Sequence, residues 1–219
     1  MSDCGCSGSQ KTFDGMSVQY KRILWIVIAI NAAMFFVEMA AGQLSGSQAL
    51  QADALDFLGD ALTYGISLAA IGASVAVRTN AALFKAFTLF AMGLWVAGST
   101  LWRVFYIGVP QAEIMGMIGF LALAANVTSV LLLMKYKDGD ANVRSVWLCS
   151  RNDAIGNVAV MIAALGVWGT ASGWPDLIVA GVMAGLFLTS ATQIVRQALA
   201  EKKGGGSCEI TAPHSHSGS

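Results

Sequence analysis

Six side chains in this sequence could do chemistry: Glu38, Asp53, Asp56, Asp60, Cys149 and Asp153. All fall inside stretches otherwise dominated by Leu, Ala, Met and Gly. At about 100° per residue, Asp53, Asp56 and Asp60 lie within about 60° of one another on one helix face. Cys149 and Asp153, four apart, share a face of a second helix, while Arg151 points almost opposite to Asp153. An ionised Asp at mid-membrane costs roughly 2.5–3.5 kcal/mol on insertion scales, so such residues are functional by default. Clustered carboxylates repel, and either protons or a cation must sit among them. Three carboxylates and one thiol, Asp56, Asp60, Asp153 and Cys149, supply four ligands for a tetrahedral transition metal, and sulfur favours Zn, Cd or Co over Mg, Ca or Mn. The competing reading of Cys149 is a small buried apolar residue. Asp53 lies a turn nearer one membrane face, as an access-path residue or an outer support of the site.

The elements that must position these groups are membrane helices. Of 219 residues, 56% are hydrophobic and 12% charged, about half the charge of a soluble domain. Thirteen basic and thirteen acidic residues cancel, which removes any case for nucleic-acid binding. Between Glu113 and Lys135 lie 21 uncharged residues, between Asp176 and Arg196 19, and between Lys85 and Arg103 17. A hydrocarbon core takes about 20 apolar residues as a helix. Period-two alternation is absent, which argues against a barrel. The expected spans are 22–43, 48–77, 81–106, 113–136, 144–170 and 175–198, within a transporter domain over 20–203. Polar tails cover 1–19, with Cys4 and Cys6, and 204–219, with Cys208, His214 and His216. Both tails are expected to be disordered, and neither has the ligand spacing of a folded zinc site.

Placing the N-terminus in the cytoplasm puts eleven Lys and Arg inside and Arg103 alone outside, as the bias of cytoplasmic loops towards positive charge requires. Both termini are then cytoplasmic, in a multi-pass protein of the cell membrane (the inner membrane in a bacterium). No cleaved signal peptide is expected. Depth arithmetic brings spans two and five together. At ~1.5 Å per residue, Asp60 lies ~18 Å below the outer end of its span and Asp153 ~14 Å above the inner end of its own. These sum to about the 30 Å of the core, which puts both at one level.

The stretch Ser45-Gly-Ser-Gln-Ala-Leu-Gln-Ala-Asp53-Ala-Leu-Asp56-Phe-Leu-Gly-Asp60 resembles the second transmembrane helix of the cation diffusion facilitator family, which reads Thr/Ser-Gly-Ser-x-Ala-Leu-x-Ala-Asp-Ala-x-His/Asp-x-x-x-Asp. Asn31, Glu38 and Gly42 precede it at that family's spacing. Cys149-Ser-Arg-Asn-Asp153 is similar to its His/Asp-x-x-x-Asp helix, and Asn126 marks a helix like its fourth. The resemblance covers roughly residues 20–200. It implies an all-α bundle of six transmembrane helices, with Asp56, Asp60 and Asp153 as transport-site ligands and Cys149 in the remaining position. Cys149, and Asp rather than His at 56, depart from the usual zinc pattern, leaving the metal open among Zn, Co and Cd and leaving Asn152 or Ser150 as substitutes. Members often carry a cytosolic metal-binding domain after span six. This chain stops about twenty residues later, so a bundle lacking that domain is expected. Family dimers often use the missing part. Gly181 and Gly185 form a helix-packing pair that more often works within one chain, which leaves a homodimer open.

The implied activity is export of a divalent metal cation against protons across the lipid bilayer, with the metal as cargo and no resident cofactor. Charge accounting supports exchange, because a dication only half neutralises three aspartates and a thiolate and must displace protons. A membrane metal sensor or scaffold without transport is the alternative. An enzyme is not expected: no Asp-Gly-x-x-Ala-Arg element occurs, and Phe57-Leu-Gly-Asp60 lacks the first Gly of a Gly-x-Gly-Asp protease element. Tyr64, one turn beyond Asp60, is placed either to hydrogen-bond the site or to pack. The tryptophans and methionines read as interface anchors and core filler.

Overall fold

A computed structural model describes residues 17–69, 75–106, 108–136 and 141–204. The Cys and His of both tails lie outside them. Among the described residues the chain forms six α-helices and a 3-10 turn at Met134–Tyr136, with no strand: α1 Val18–Ser45, α2 Gln48–Ala69, α3 Val75–Phe105, α4 Ala112–Leu133, α5 Ala141–Thr170 and α6 Trp174–Gly204. The all-helical, six-helix architecture expected from the sequence is therefore present. Five of these helices contain stretches long and apolar enough to cross a membrane. The sixth, α2, is the one that carries Asp53, Asp56 and Asp60.

The sequence-based boundaries need correction at three places. Span two was expected to run to residue 77, yet Val75 already belongs to α3; the charge-free run 61–77 crosses a helix junction that hydropathy alone does not mark. Helix α1 begins at Val18, inside the stretch assigned to the N-terminal tail, because Ser17 accepts a capping bond from the Tyr20 amide at 3.1 Å. Helix α6 runs on to Gly204, the first residue assigned to the other tail.

Packing is inverted relative to a soluble bundle. Trp25, Phe36, Phe87, Trp95, Leu165 and Trp168 are exposed on the outside, whereas Glu38 and Asp53 are buried. Lipid supplies the apolar surroundings that these large side chains need, so the interior is free to hold polar groups. Helices pair as α1 with α2, α4 with α5 and α3 with α6, and α2 and α5 meet at the centre. One apolar cluster, Tyr20, Leu24, Val27, Tyr64, Leu133, Tyr136 and Val146, packs α1, α2, α4 and α5 together towards the end where α1 begins. Another, Ala41, Ala49, Leu50, Met115, Val160, Ala163, Ala164 and Val167, closes the opposite end. A third, built on Leu89, Met92, Val96, Met183 and Phe187, joins the α3–α6 pair to α2.

The connection between α1 and α2 fixes how these helices approach. Gly46 takes the left-handed conformation (φ 72°) that ends α1, and a Cβ on Gly42 would stand 2.8 Å from Gln51 Cγ and 3.0 Å from its amide nitrogen. Only glycine permits so close a crossing here. The start of α2 is capped from another helix. The buried carboxylate of Asp176, in the first turn of α6, accepts from Ser47 Oγ (2.6 Å), the Gln48 amide (2.7 Å) and the Ala49 amide (3.0 Å). Ser47 Oγ in turn accepts from the Leu50 amide at 3.0 Å. An anion at a helix N-terminus satisfies orphan amides and complements the dipole. Asp176→Ala would strand these donors in an apolar setting, at a cost of about 1–3 kcal/mol. Thermal unfolding of the detergent-solubilised protein is expected to show a clearly lowered midpoint for Asp176→Ala and a smaller drop for Asp176→Asn.

Candidate metal centre

The acidic stripe follows from α2 being helical without interruption from Gln48 to Ala69, with its small residues Ala52, Ala54 and Gly59 letting neighbours come close. Asp56 and Asp60 are two of its inward positions, one turn apart. From α5, Cys149 and Asp153 meet them. All four line one cavity of about 430 Å³ bounded by α2, α3, α5 and α6. The carboxyl groups of Asp60 and Asp153 are within hydrogen-bonding reach of each other, and Asp153 is likewise in reach of Asp56. Asp60 and Asp153 thus lie at one level, as the depth arithmetic expects.

Gathering is not yet coordination. Among the described residues, no three His, Cys, Asp or Glu side chains form a ready metal cage. The sequence reading expected four ligands of a tetrahedral set; the structure has the four on the wall of one cavity, not closed around a point. Asp153 Oδ2 is buried without a hydrogen-bond partner.

Several neighbours take definite places. Tyr64, fully buried, donates its hydroxyl to Asp60 Oδ2 and lies 3.5 Å from Ser150 Oγ. Both of its sequence readings are observed, because Tyr64 also packs in the cluster with Tyr20, Leu24 and Leu133. Of the two residues offered as substitutes for Cys149, Asn152 lines the cavity, while Ser150 is buried beside Tyr64. Arg151 is exposed and stacks over the Trp147 ring at 5.4 Å, so it leaves Asp153 unpaired, as its helical position implied. Asn31 and Asn126 are buried on the far side of the carboxylates, around a narrow gap with Asp56, Asp60 and Asp153; the Asn31 amide donates to the Val27 carbonyl at 2.8 Å. Glu38 and Asp53 are also buried, with neither Glu38 carboxyl oxygen hydrogen-bonded, and Asp53 lies about one helical turn from Asp56 on α2. Gly181 and Gly185 are exposed with nothing near a Cβ added at either, so the pair does not pack helices within this chain.

Two residues escaped the sequence reading. Lys85 was counted only as a cytoplasmic charge, yet it lines the cavity with the acids. Its spacing to Leu89, Met92 and Val96, the buried stripe of α3, carried the signal. Asp176 was used only to bound a charge-free run, and nothing local marks it as the cap of α2. Met183, read as filler, is also part of the cavity wall.

Residues 24–201 match the profile of the cation efflux transmembrane domain. The chain belongs to the cation efflux family. It is 28% identical over 191 residues to the metal cation efflux system protein CzcD of Cupriavidus metallidurans, covering 80% of this chain and 59% of that one. It is 30% identical over 209 residues to the zinc transporter ZitB of Yersinia pestis, covering 87% and 65%. The chain thus spans about three fifths of the length of these relatives. Membership makes this a multi-pass membrane protein of a transporter family.

The cavity geometry predicts the reactivity of Cys149. In a variant with Cys4, Cys6 and Cys208 replaced by Ser, a small cationic methanethiosulfonate is expected to modify Cys149 at least several-fold faster than an anionic one of similar size. The surrounding carboxylates attract the first and repel the second. Rates followed by mass spectrometry check this; equal rates would remove Cys149 from the acidic cavity.

Proposed function

We propose that this protein exports a divalent transition-metal cation from the cytoplasm, with Asp56, Asp60, Asp153 and Cys149 as the ligands that carry it and protons moving the other way. The observation that carries this reading is the meeting of these four side chains from two helices in a single cavity within a membrane bundle. The family and the names of the relatives support metal efflux. The thiol supports Zn, Co or Cd as cargo, since sulfur suits these ions and not Mg or Ca.

The exchange follows from electrostatics. Three carboxylates lining one cavity in a medium of low dielectric do not all remain ionised. A dication that enters displaces the protons they hold, and protons returning from the far side displace the dication. Alternating access then needs only that the cavity opens to one side at a time. With both termini cytoplasmic, as the Lys and Arg distribution indicates, the cavity edge at Lys85, Gln193 and Ile194 faces the cytoplasm. The Ala41–Val167 cluster seals the outside. This arrangement is an inward-open state ready to load.

The test is metal uptake into inverted membrane vesicles under an imposed proton gradient. Wild type is expected to accumulate zinc or cobalt in proportion to the gradient, and Asp60→Ala to lose at least about nine tenths of that accumulation. Equal accumulation by both would refute the reading. Metal binding without gradient-driven movement in wild type would leave a sensor in its place.

A further inference from the structure

We propose that Lys85 is a tethered counter-cation of the metal cavity, whose ammonium competes with the incoming dication for the carboxylates and so sets how tightly the metal is held. This rests on the reading of the cavity as the transport site and adds a residue to it that tunes affinity without being a ligand.

Lys85 is the one cationic side chain among the described residues that line the cavity, which it shares with Asp56, Asp60, Cys149 and Asp153. It is half-buried on the core-facing stripe of α3, not splayed outward as an interfacial anchor would be. It interacts electrostatically with Asp56, Asp60 and Cys149, three of the four proposed ligands. Two other basic side chains of α3 and α5 are turned elsewhere: Arg151 lies over Trp147, and Arg103 sits beside Gly46 at the far end of α3. A lysine carries a compact charge on a flexible four-carbon stem. It can lie near the carboxylates when no ion is present and withdraw towards the cavity edge when one arrives.

Charge accounting gives this a purpose. Fully ionised, the three carboxylates and thiolate carry four negative charges, and a dication leaves two uncompensated. A site that strong would load readily and release slowly. A fixed positive charge within several ångströms of a dication weakens binding by well over tenfold at the effective dielectric of about 20 found in proteins. Lys85 thus lowers the affinity to a value compatible with turnover, and because its charge cannot leave with the ion, it also offers the emptied site a replacement cation.

The experiment is zinc titration by calorimetry on the purified full-length chain in nanodiscs at fixed pH and ionic strength, comparing wild type, Lys85→Gln, Lys85→Glu, Lys85→Arg and Asp60→Ala. Zinc is expected to bind Lys85→Gln about tenfold tighter than wild type, Lys85→Glu tighter still, and Lys85→Arg within about threefold of wild type. Unchanged or weaker binding by Lys85→Gln, with Asp60→Ala losing binding, overturns the role of Lys85 alone. Retention of wild-type zinc affinity by Asp60→Ala overturns the transport-site reading itself. Should Lys85→Gln not fold, the Arg-to-Glu comparison carries the same test: equal affinity for those two overturns the proposal.

Discussion

Everything in this bundle answers to the cost of keeping carboxylates in hydrocarbon. Each ionised acid at mid-membrane is worth several kcal/mol of insertion penalty, and α2 holds three within eight residues. Such a helix is tolerable only where its polar stripe faces water, a cation or other polar groups, and the packing provides that. The apolar residues of α2 meet α1, α3 and α6, while Asp56 and Asp60 open onto the cavity shared with α5. The hydrophobic effect, which would bury large side chains in a soluble protein, instead leaves tryptophan and phenylalanine on the outside, because lipid receives them at no loss.

The same cost explains why the ends of the molecule differ. Near the middle, polar groups are left without partners: both carboxyl oxygens of Glu38, one of Asp53, one of Asp153 and the whole amide of Asn157. Unsatisfied buried groups usually cost about 1–3 kcal/mol each, and Asp153 among them lines the cavity. Towards the end away from the termini, Asp176 instead takes three donors from the start of α2.

Much of this was legible in the sequence because membrane helices announce themselves by charge-free length, and because spacing of four on a helix is an unambiguous geometric statement. The meeting of Asp60 with Asp153 follows from two positions and a rise per residue, and the turning away of Arg151 from its angle to Asp153. What escaped has physical causes. The junction between α2 and α3 lies in a stretch as apolar as the helices it separates. Lys85 belongs to the buried stripe of its helix, yet a lysine near a span end reads first as a loop charge. Asp176 acts on residues 47–49, more than a hundred positions away in the chain, and no local pattern reports a cap supplied from another helix. The Gly181 and Gly185 spacing suggested a packing contact, but spacing alone says nothing about which surface a helix turns outward.

The three hydrogen bonds between Asp176 and the start of α2 have a mechanical consequence. They add a directional polar tie at one end to the apolar packing that joins the α3–α6 pair to α2, so relative movement is smallest there and grows along the length of α6. A small tilt about that joint translates into its widest excursion where Gln193 and Lys85 border the cavity, much as a door swings furthest at the edge away from its pin.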